Sequence, residues 1–367
     1  MIRAHKIRLY PNNKQATYFM KACGVARFAY NWGLAEWKRR YEAGEKVSET
    51  ILRKELNAIK REQFPWMLKI TKCAPQLAIK NDLKNAFKNY FEKRSEYPKF
   101  RKKGVHDSFS ISNDHLKVSG QTVWIPNLGR VKTAEELRYG GKIMGAAISR
   151  TADKWYIAIQ VEMPDTESMY NSENQAIGVD LGVAALATLS DGTVIHGAKA
   201  GKQCEDKLRR LNQELSRRQG ALKGEPKSNN FKKTKRKISR LYAKMANIRA
   251  DQTHKLTTML TQTYSTITIE DLDVKGMMKD HKMARSIADM SFFEFRRQLI
   301  YKAETTGTEV IIADRWFASS KTCNCCGFQR RDMDLSIREW TCEQCGAHHN
   351  RDENAAINLN NYTVKSA

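Results

Sequence analysis

The sequence predicts a multidomain α+β protein: an antiparallel β-barrel with helices inserted into it, then an α/β domain interrupted by a metal-binding ribbon. Three observations carry that expectation. Residues 14–93 keep helical spacing, whereas 108–164 fall into short alternating runs separated by turn residues. From Ala176 onward strands and helices alternate along the chain. Near the end, two Cys-x-x-Cys pairs stand 15 residues apart.

The barrel comes first. "IRAHKIRLY" alternates as a strand and "PNN" stops it. In "FMKACGVARFAYNWGLAEWKRRYEAG", Phe19, Cys23, Ala26, Tyr30, Trp37 and Tyr41 fall near one helical face, which predicts a buried stripe. A second helical stretch begins around Pro75, and "YPKFRKKG" breaks it. "SFSIS", "HLKVSG", "QTVWIP", "GRVKT" and "GAAISRTADKWYIAIQVEM" then supply the barrel strands. The first strand must pair with something, so the barrel is assigned to 1–13 and 95–165, with the helices of 14–94 as an insertion. "PDTESMYNSENQ" is polar and aperiodic, and is taken as a linker.

The second half opens with "AIGVDLGVAALATLSDGTVIHG": strand, glycine turn, strand, an Asp191-Gly192 hairpin, strand. A basic helical region follows. From Lys202 to Lys255, 17 Lys/Arg face 5 Asp/Glu, a net +12, with "LKGEPKSNNFKK" as a flexible turn inside it. "STITIEDLDV" is a strand ending in acids; a helix near 292–306 and the strand "TEVIIAD" lead to the cysteines, and "DENAAINLNNY" closes the chain as a helix. That order suits an α/β domain of ribonuclease-H type over 175–319 and 347–367, with a ribbon at 320–346 inserted before the last helix.

Charge narrows the partner. The chain holds 64 Lys/Arg against 40 Asp/Glu, net +24, with a pI near 9.7. Such a field favours polyanions, nucleic acid first. No apolar run approaches a membrane span, and the N-terminus lacks an apolar signal core. Of eight cysteines, four form the Cys-x-x-Cys pairs and the rest follow no such spacing, which fits metal binding in a reducing, cytoplasmic setting.

Cys323, Cys326, Cys342 and Cys345 match four-cysteine zinc spacing, and Gly327 and Gly346 permit the turn after each pair. Cys325 is surplus and should point away from the metal. His348 and His349 are conceivable substitutes, but four thiolates already close the shell, so one structural Zn²⁺ is expected and no open position for chemistry. The acids are different. Asp180 follows a strand at its glycine turn, Glu270 ends a strand, and Asp352 opens the last helix. Singly they read as a turn aspartate, a strand-end acid and a helix N-cap. Together, three carboxylates at one edge of a sheet would repel unless cations lay among them. That is the arrangement for two Mg²⁺ or Mn²⁺ ions about 4 Å apart acting on a phosphodiester.

At these residues a resemblance enters. "GVDLGVAALATLSDG", "TITIEDLDVKGM", "SSKTCNCCG", "WTCEQCG" and "HHNRDENAAINL" resemble the split RuvC-type nuclease of the TnpB family, transposon-encoded relatives of the type V CRISPR effectors. "RLYPN", "ARFAYN" and "YPKFRKKG" resemble that family's N-terminal half in the same order. The resemblance implies an RNA-guided DNA endonuclease. A guide RNA from the transposon end would direct the chain to double-stranded DNA beside a short transposon-adjacent motif, with one RuvC site cutting both strands in turn. It implies that Asp180, Glu270 and Asp352 are the catalytic, magnesium-binding acids, and that the four cysteines hold zinc. The barrel would be a wedge domain and the helices of 14–94 a recognition lobe. Lys72 and Gln76 fall where the family contacts the motif duplex, Lys suiting phosphate or guanine and Gln an adenine edge. Cys73 and Pro75 depart from the family pattern there.

Expected partners are therefore guide RNA and target DNA, with no membrane, no small-molecule substrate, and one monomer per RNA in a prokaryotic cytoplasm. The alternative is an RNA-guided repressor that binds without cutting; such a protein should lack one of the three acids. A strand-joining transposase fits the split motif order poorly. A zinc-ribbon adaptor leaves the acids and the first 170 residues without a role. The 202–255 region is assigned to phosphate contact. Aromatic residues among basic ones in the first 100 positions could stack on RNA bases, but their helical spacing favours core.

Overall fold

A computed structural model describes residues 1–164, 175–219, 227–334 and 336–362. The expected linker at 164–175 and the start of the expected turn at 222–233 fall largely outside them. The chain divides into two compact units, residues 1–165 and 166–367.

Unit 1 runs β1 (Ile2–Tyr10), α1 (Asn13–Glu42), α2 (Glu49–Ile59), α3 (Cys73–Leu77), a π-helical turn (Ala78–Leu83) and α4 (Lys84–Phe91). Six strands follow: β2 (Ser108–Ser112), β3 (Lys117–Ser119), β4 (Thr122–Ile125), β5 (Gly129–Thr133), β6 (Lys142–Thr151) and β7 (Lys154–Glu162). Asn12 starts α1 through a reciprocal capping box with Gln15, which offsets two of the helix's unpaired N–H groups. β1 pairs antiparallel with β7 from Ile2↔Glu162 to Leu9↔Trp155, and with β5 at Leu9↔Thr133.

The expected closed barrel is not there. The strands form one open seven-stranded sheet, β2-β6-β7-β1-β5-β4-β3, and among the described residues no ladder joins its edges. Two causes are visible. β3 has only three residues and so offers β2 little edge to pair with. The face that a barrel would bury against itself is covered instead by α1, whose Phe19 lies 5.0 Å from Trp155 and 5.9 Å from Phe109 between ring centres. The α1 stripe holds at Phe19, Cys23, Ala26 and Tyr30, all buried. It fails at Tyr41, which is 75% exposed.

Unit 2 runs β8 (Ala176–Asp180), β9 (Ala187–Leu189), β10 (Val194–Ile195), α5 (Ala200–Arg217), α6 (Asn229–Thr263) and β11 (Thr266–Glu270). Then come α7 (Val274–Met277), α8 (Ala284–Met290), α9 (Phe292–Thr306), β12 (Glu309–Ala313), β13 (Glu339–Thr341), β14 (His348–Asn350) and α10 (Arg351–Asn360). The sheet order is β10-β9-β8-β11-β12. β8, β9 and β10 are an antiparallel meander turned at Asp191-Gly192, where Gly192 takes φ +85°. β11 lies parallel between β8 and β12. Val179, Leu189, Ile267, Ile269, Leu260, Phe295 and Leu299 form the main core of this unit. The basic region folds as the helix pair α5–α6 around a small core of its own, Ala200, Cys204, Leu211, Ile238, Leu241 and Met245. Among the described residues no helix is long and apolar enough to cross a membrane.

Candidate active site

The sheet brings two of the acids side by side. β8 and β11 run parallel and in register up to Val179↔Ile269, so Asp180 and Glu270 are the next residues on neighbouring strands at the same sheet edge. The third comes from α10, which packs along β8. Gly178 makes that packing possible: a Cβ there would lie 2.0 Å from the Ala356 carbonyl oxygen and 2.4 Å from the Asn360 nitrogen. Asp352 sits in the first turn of α10, but the N-cap is Asn350, whose Oδ1 accepts from Asp352 N and Glu353 N at 3.1 and 3.2 Å. The plain N-cap reading of Asp352 is thereby filled by another residue.

Electrostatics show that the three share one field. Asp180 is pushed well above the usual carboxylate range by burial, then by the charges of Glu270 and Asp352, against Arg351 and Arg338. Burial also raises Glu270, opposed by the hydroxyl of Ser319, which donates to its Oε1. Arg338 Nη1 meets Asp352 Oδ1 at 3.3 Å. A carboxylate cluster with so little cationic compensation is a hard-oxygen donor set of the kind divalent ions occupy. Among the described residues, however, only cysteine groups draw three ligating atoms within 4.8 Å of one another. The three acids stand further apart than one shared ion would hold them.

Ser319 was not legible as a site residue, nor were two asparagines that hold it. Asn358 Nδ2 donates to Ser319 O at 2.7 Å and to Thr322 O at 2.6 Å; Asn354 Nδ2 donates to Thr322 O at 2.8 Å and its Oδ1 accepts from Asn324 N at 3.0 Å. All three residues are buried. Their Asn-x-x-x-Asn spacing on the apolar face of α10 was the one signal available. Beside Glu270 a cavity of about 250 Å³ opens, lined among others by Leu181, Leu272, Phe292, Phe293 and Arg296.

The cysteines also meet. Cys323, Cys326, Cys342 and Cys345 bring their sulfurs within 4.8 Å of one another, with Cys323–Cys345 at 3.7 Å and Cys326–Cys342 at 3.6 Å. Thiolates about 2.3 Å from a tetrahedral zinc stand about 3.8 Å apart, so this spacing fits the ion. Gly327 and Gly346 take φ +78° and +73°, the left-handed conformation the knuckle turns require. Cys325 is exposed and bonds Asn324 Oδ1 at 3.1 Å, yet Cys323, Cys325 and His349 also form a ligand-distance group. His349 Nε2 lies 3.0 Å from Cys323 Sγ, placing this buried imidazole against the cluster.

Lys72 and Gln76 border a separate cavity of about 550 Å³ in unit 1, with Arg53, Asn57, Lys60 and Lys80. Gln76 already spends its amide internally: Oε1 accepts from Arg53 Nε and Nε2 donates to Asn57 Oδ1, both at 3.0 Å. Lys72 has no side-chain partner among the described residues.

Residues 158–281 match the OrfB_IS605 family, described as "Probable transposase", and 292–359 match the Cas12f1-like TNB domain. A protein of Escherichia coli K12 named "Putative RNA-guided DNA endonuclease InsQ" is 33% identical over 98% of this chain and 91% of its own. The chain belongs to the TnpB family. A Streptomyces pristinaespiralis relative with the same designation is 34% identical over 97% of this chain and 88% of its own. A Cas12f1 chain solved with its guide RNA and target DNA superposes with a TM-score of 0.58 at 13% identity, covering 95% of this chain and 83% of that one, a likeness of fold. Residues 1–46 match a family described as a helix-turn-helix domain, although here they form one strand and one unbroken 30-residue helix in place of two helices about a turn. The TnpB chain is thus a multidomain α+β protein with a transposon-family core and a four-cysteine cluster near its end.

Proposed function

We propose that the chain is an RNA-guided DNA endonuclease that cuts double-stranded DNA beside a short transposon-adjacent motif by two-metal phosphodiester hydrolysis. The observation that carries this reading is the placement of Asp180 and Glu270 at adjoining ends of the parallel strands β8 and β11, with Asp352 in the first turn of α10, the helix packed on β8. The mixed sheet with its parallel β8–β11–β12 core is the scaffold expected of a RuvC-type centre. Relatives named RNA-guided endonucleases over nearly the whole chain support the activity.

The three acids would hold two Mg²⁺ or Mn²⁺ ions. Bound there, such ions supply an activated water nucleophile and charge stabilisation at the leaving oxygen. The chain's own residues do the positioning. Ser319 donates to one oxygen of Glu270 and so holds that carboxylate in place. Arg338 restrains Asp352, and Asn354 and Asn358 tie α10 to the 319–324 segment. The cysteines would carry one structural Zn²⁺ that braces this same segment, because Cys323 begins one residue after Thr322.

Guide RNA would supply sequence recognition by base pairing, with the α5–α6 pair taking phosphates along its basic surface. Unit 1 would contribute the motif contacts, Lys72 reaching phosphate or guanine. Gln76 reads an adenine edge only by exchanging its present partners Arg53 and Asn57. We assign one protein monomer to one RNA. The test is to sequence RNA co-purifying with the chain expressed from its native locus, then assay cutting of a matching plasmid in Mg²⁺. Discrete RNA with guided cutting supports the nuclease; RNA and guided binding without a cut leaves the repressor; no discrete RNA removes both.

A further inference from the structure

We infer that an exposed aromatic cluster on unit 1, formed by Tyr90, Phe91 and Tyr97, is a stacking platform for unpaired bases of the guide RNA. The identity of the strand rests on the RNA-guided reading; the platform itself rests on geometry. Its floor is Phe87, 3% exposed and stacked on Trp37 with ring centres 4.2 Å apart and planes at 20°. Phe91 lies nearly parallel to Phe87 at 6.1 Å, and Tyr97 meets Phe87 edge-on at 5.8 Å. Tyr90 closes the ring, 5.5 Å from Phe91 and 5.3 Å from Tyr97. Phe91, Tyr97 and Tyr90 are nonetheless 66%, 43% and 38% exposed. A contiguous group of rings supported from beneath and open above is what a binding surface requires and a core does not.

Charge selects the occupant. Between residues 84 and 104 eight Lys/Arg stand against two Glu. Both glutamates are already paired, Glu92 with Arg94 and Lys88, Glu96 with Lys99. Lys93, Lys102 and Lys103 have no ion-pair partner among the described residues. A second copy of the chain would bring the same excess of cations against it, so self-association is opposed by like charge while a polyanion is attracted. Aromatic faces offered among free cations match single-stranded nucleic acid, whose bases stack and whose phosphates pair with Lys and Arg. Under the proposed function the guide RNA is the strand the protein carries before any target is met, and it is the occupant of the platform.

The test uses the full complex of protein, co-purified RNA and matching target DNA. Irradiation at 254 nm followed by peptide mass analysis should yield a peptide from residues 88–99 carrying a ribonucleotide. Phe91→Ala and Tyr90→Ala, both at exposed positions, should each weaken binding of the re-transcribed RNA about tenfold, while Phe91→Trp binds like wild type. The salt dependence of binding should be unchanged in all three, because no charge is removed. A deoxyribonucleotide adduct, no adduct, or undiminished affinity in the alanine variants overturns the platform. So does a concentration-dependent dimer that Phe91→Ala dissolves, which would assign the cluster to a second copy. Failure of the guided reading looks different: the protein then yields no discrete RNA to irradiate at all.

Discussion

Gly178 and Ala356 approach more closely than any side chain would allow, with a Cβ at Gly178 falling 2.0 Å from the Ala356 carbonyl oxygen. The glycine is used here for proximity, since its backbone is ordinary strand. That contact sets α10 on β8 and so decides where Asp352 stands relative to Asp180. Gly178→Ala should force the helix outward, cost about 3 kcal/mol of stability by urea unfolding, and abolish cutting. Wild-type stability in that variant would mean that α10 is not held by this contact.

Ser319 provides a subtler probe of the same edge. Its hydroxyl donates to Glu270, and bonds to charged groups contribute about 1.5–3 kcal/mol. Ser319→Ala should therefore lower the cutting rate about ten- to a hundredfold with guided DNA binding unchanged. A parallel loss of binding and rate would make Ser319 merely structural.

Lys302 gives a pH dependence with a definite sign. Its ammonium, donating to His254 O, Thr257 Oγ1 and Thr258 Oγ1 between α9 and α6, is held down to about 8 by burial, from an ordinary 10.5. Between those values the unfolded chain binds more protons than the folded one, so this residue's penalty is full below pH 8 and fades as pH rises to 10.5. Replacing it by Met should raise Tm relative to wild type most at pH 7, the gain shrinking by pH 10. A Tm difference that does not vary over that range removes the titration.

The cysteine cluster separates by residue. Cys342→Ser should lose zinc by elemental analysis and loosen the 319–324 segment, reducing cutting. Cys325→Ser should keep one zinc per chain and full activity, because the exposed thiol duplicates a shell already closed by four others. Zinc loss in Cys325→Ser would instead favour the group of Cys323, Cys325 and His349.

Much of this was readable from the chain, and the exceptions share a cause. The Asp-Gly hairpin, the knuckle glycines and the three strand-end and helix-start acids are local patterns, and local patterns survive in sequence. The open sheet was not readable, because closure depends on whether α1 covers the face, and short alternating strands look the same in a barrel. Tyr41 keeps the helical period yet projects past the partner that buries Phe19, and periodicity does not say where a partner ends. Gln76 reads as a free contact residue until Arg53 and Asn57, about 20 residues upstream, are found against it. Ser319 in a loop carries no pattern at all.

The most direct measurement is Mg²⁺-dependent, RNA-directed cutting of a matching plasmid by wild type and Asp180→Asn, with guided binding and metal-free Tm recorded on the same samples. The variant replaces a half-buried carboxyl crowded by two other acids, so it should bind the target like wild type, gain about 2–4 °C in metal-free Tm, and cut nothing. Cutting at the wild-type rate by Asp180→Asn would contradict the assignment of this edge as the nuclease centre.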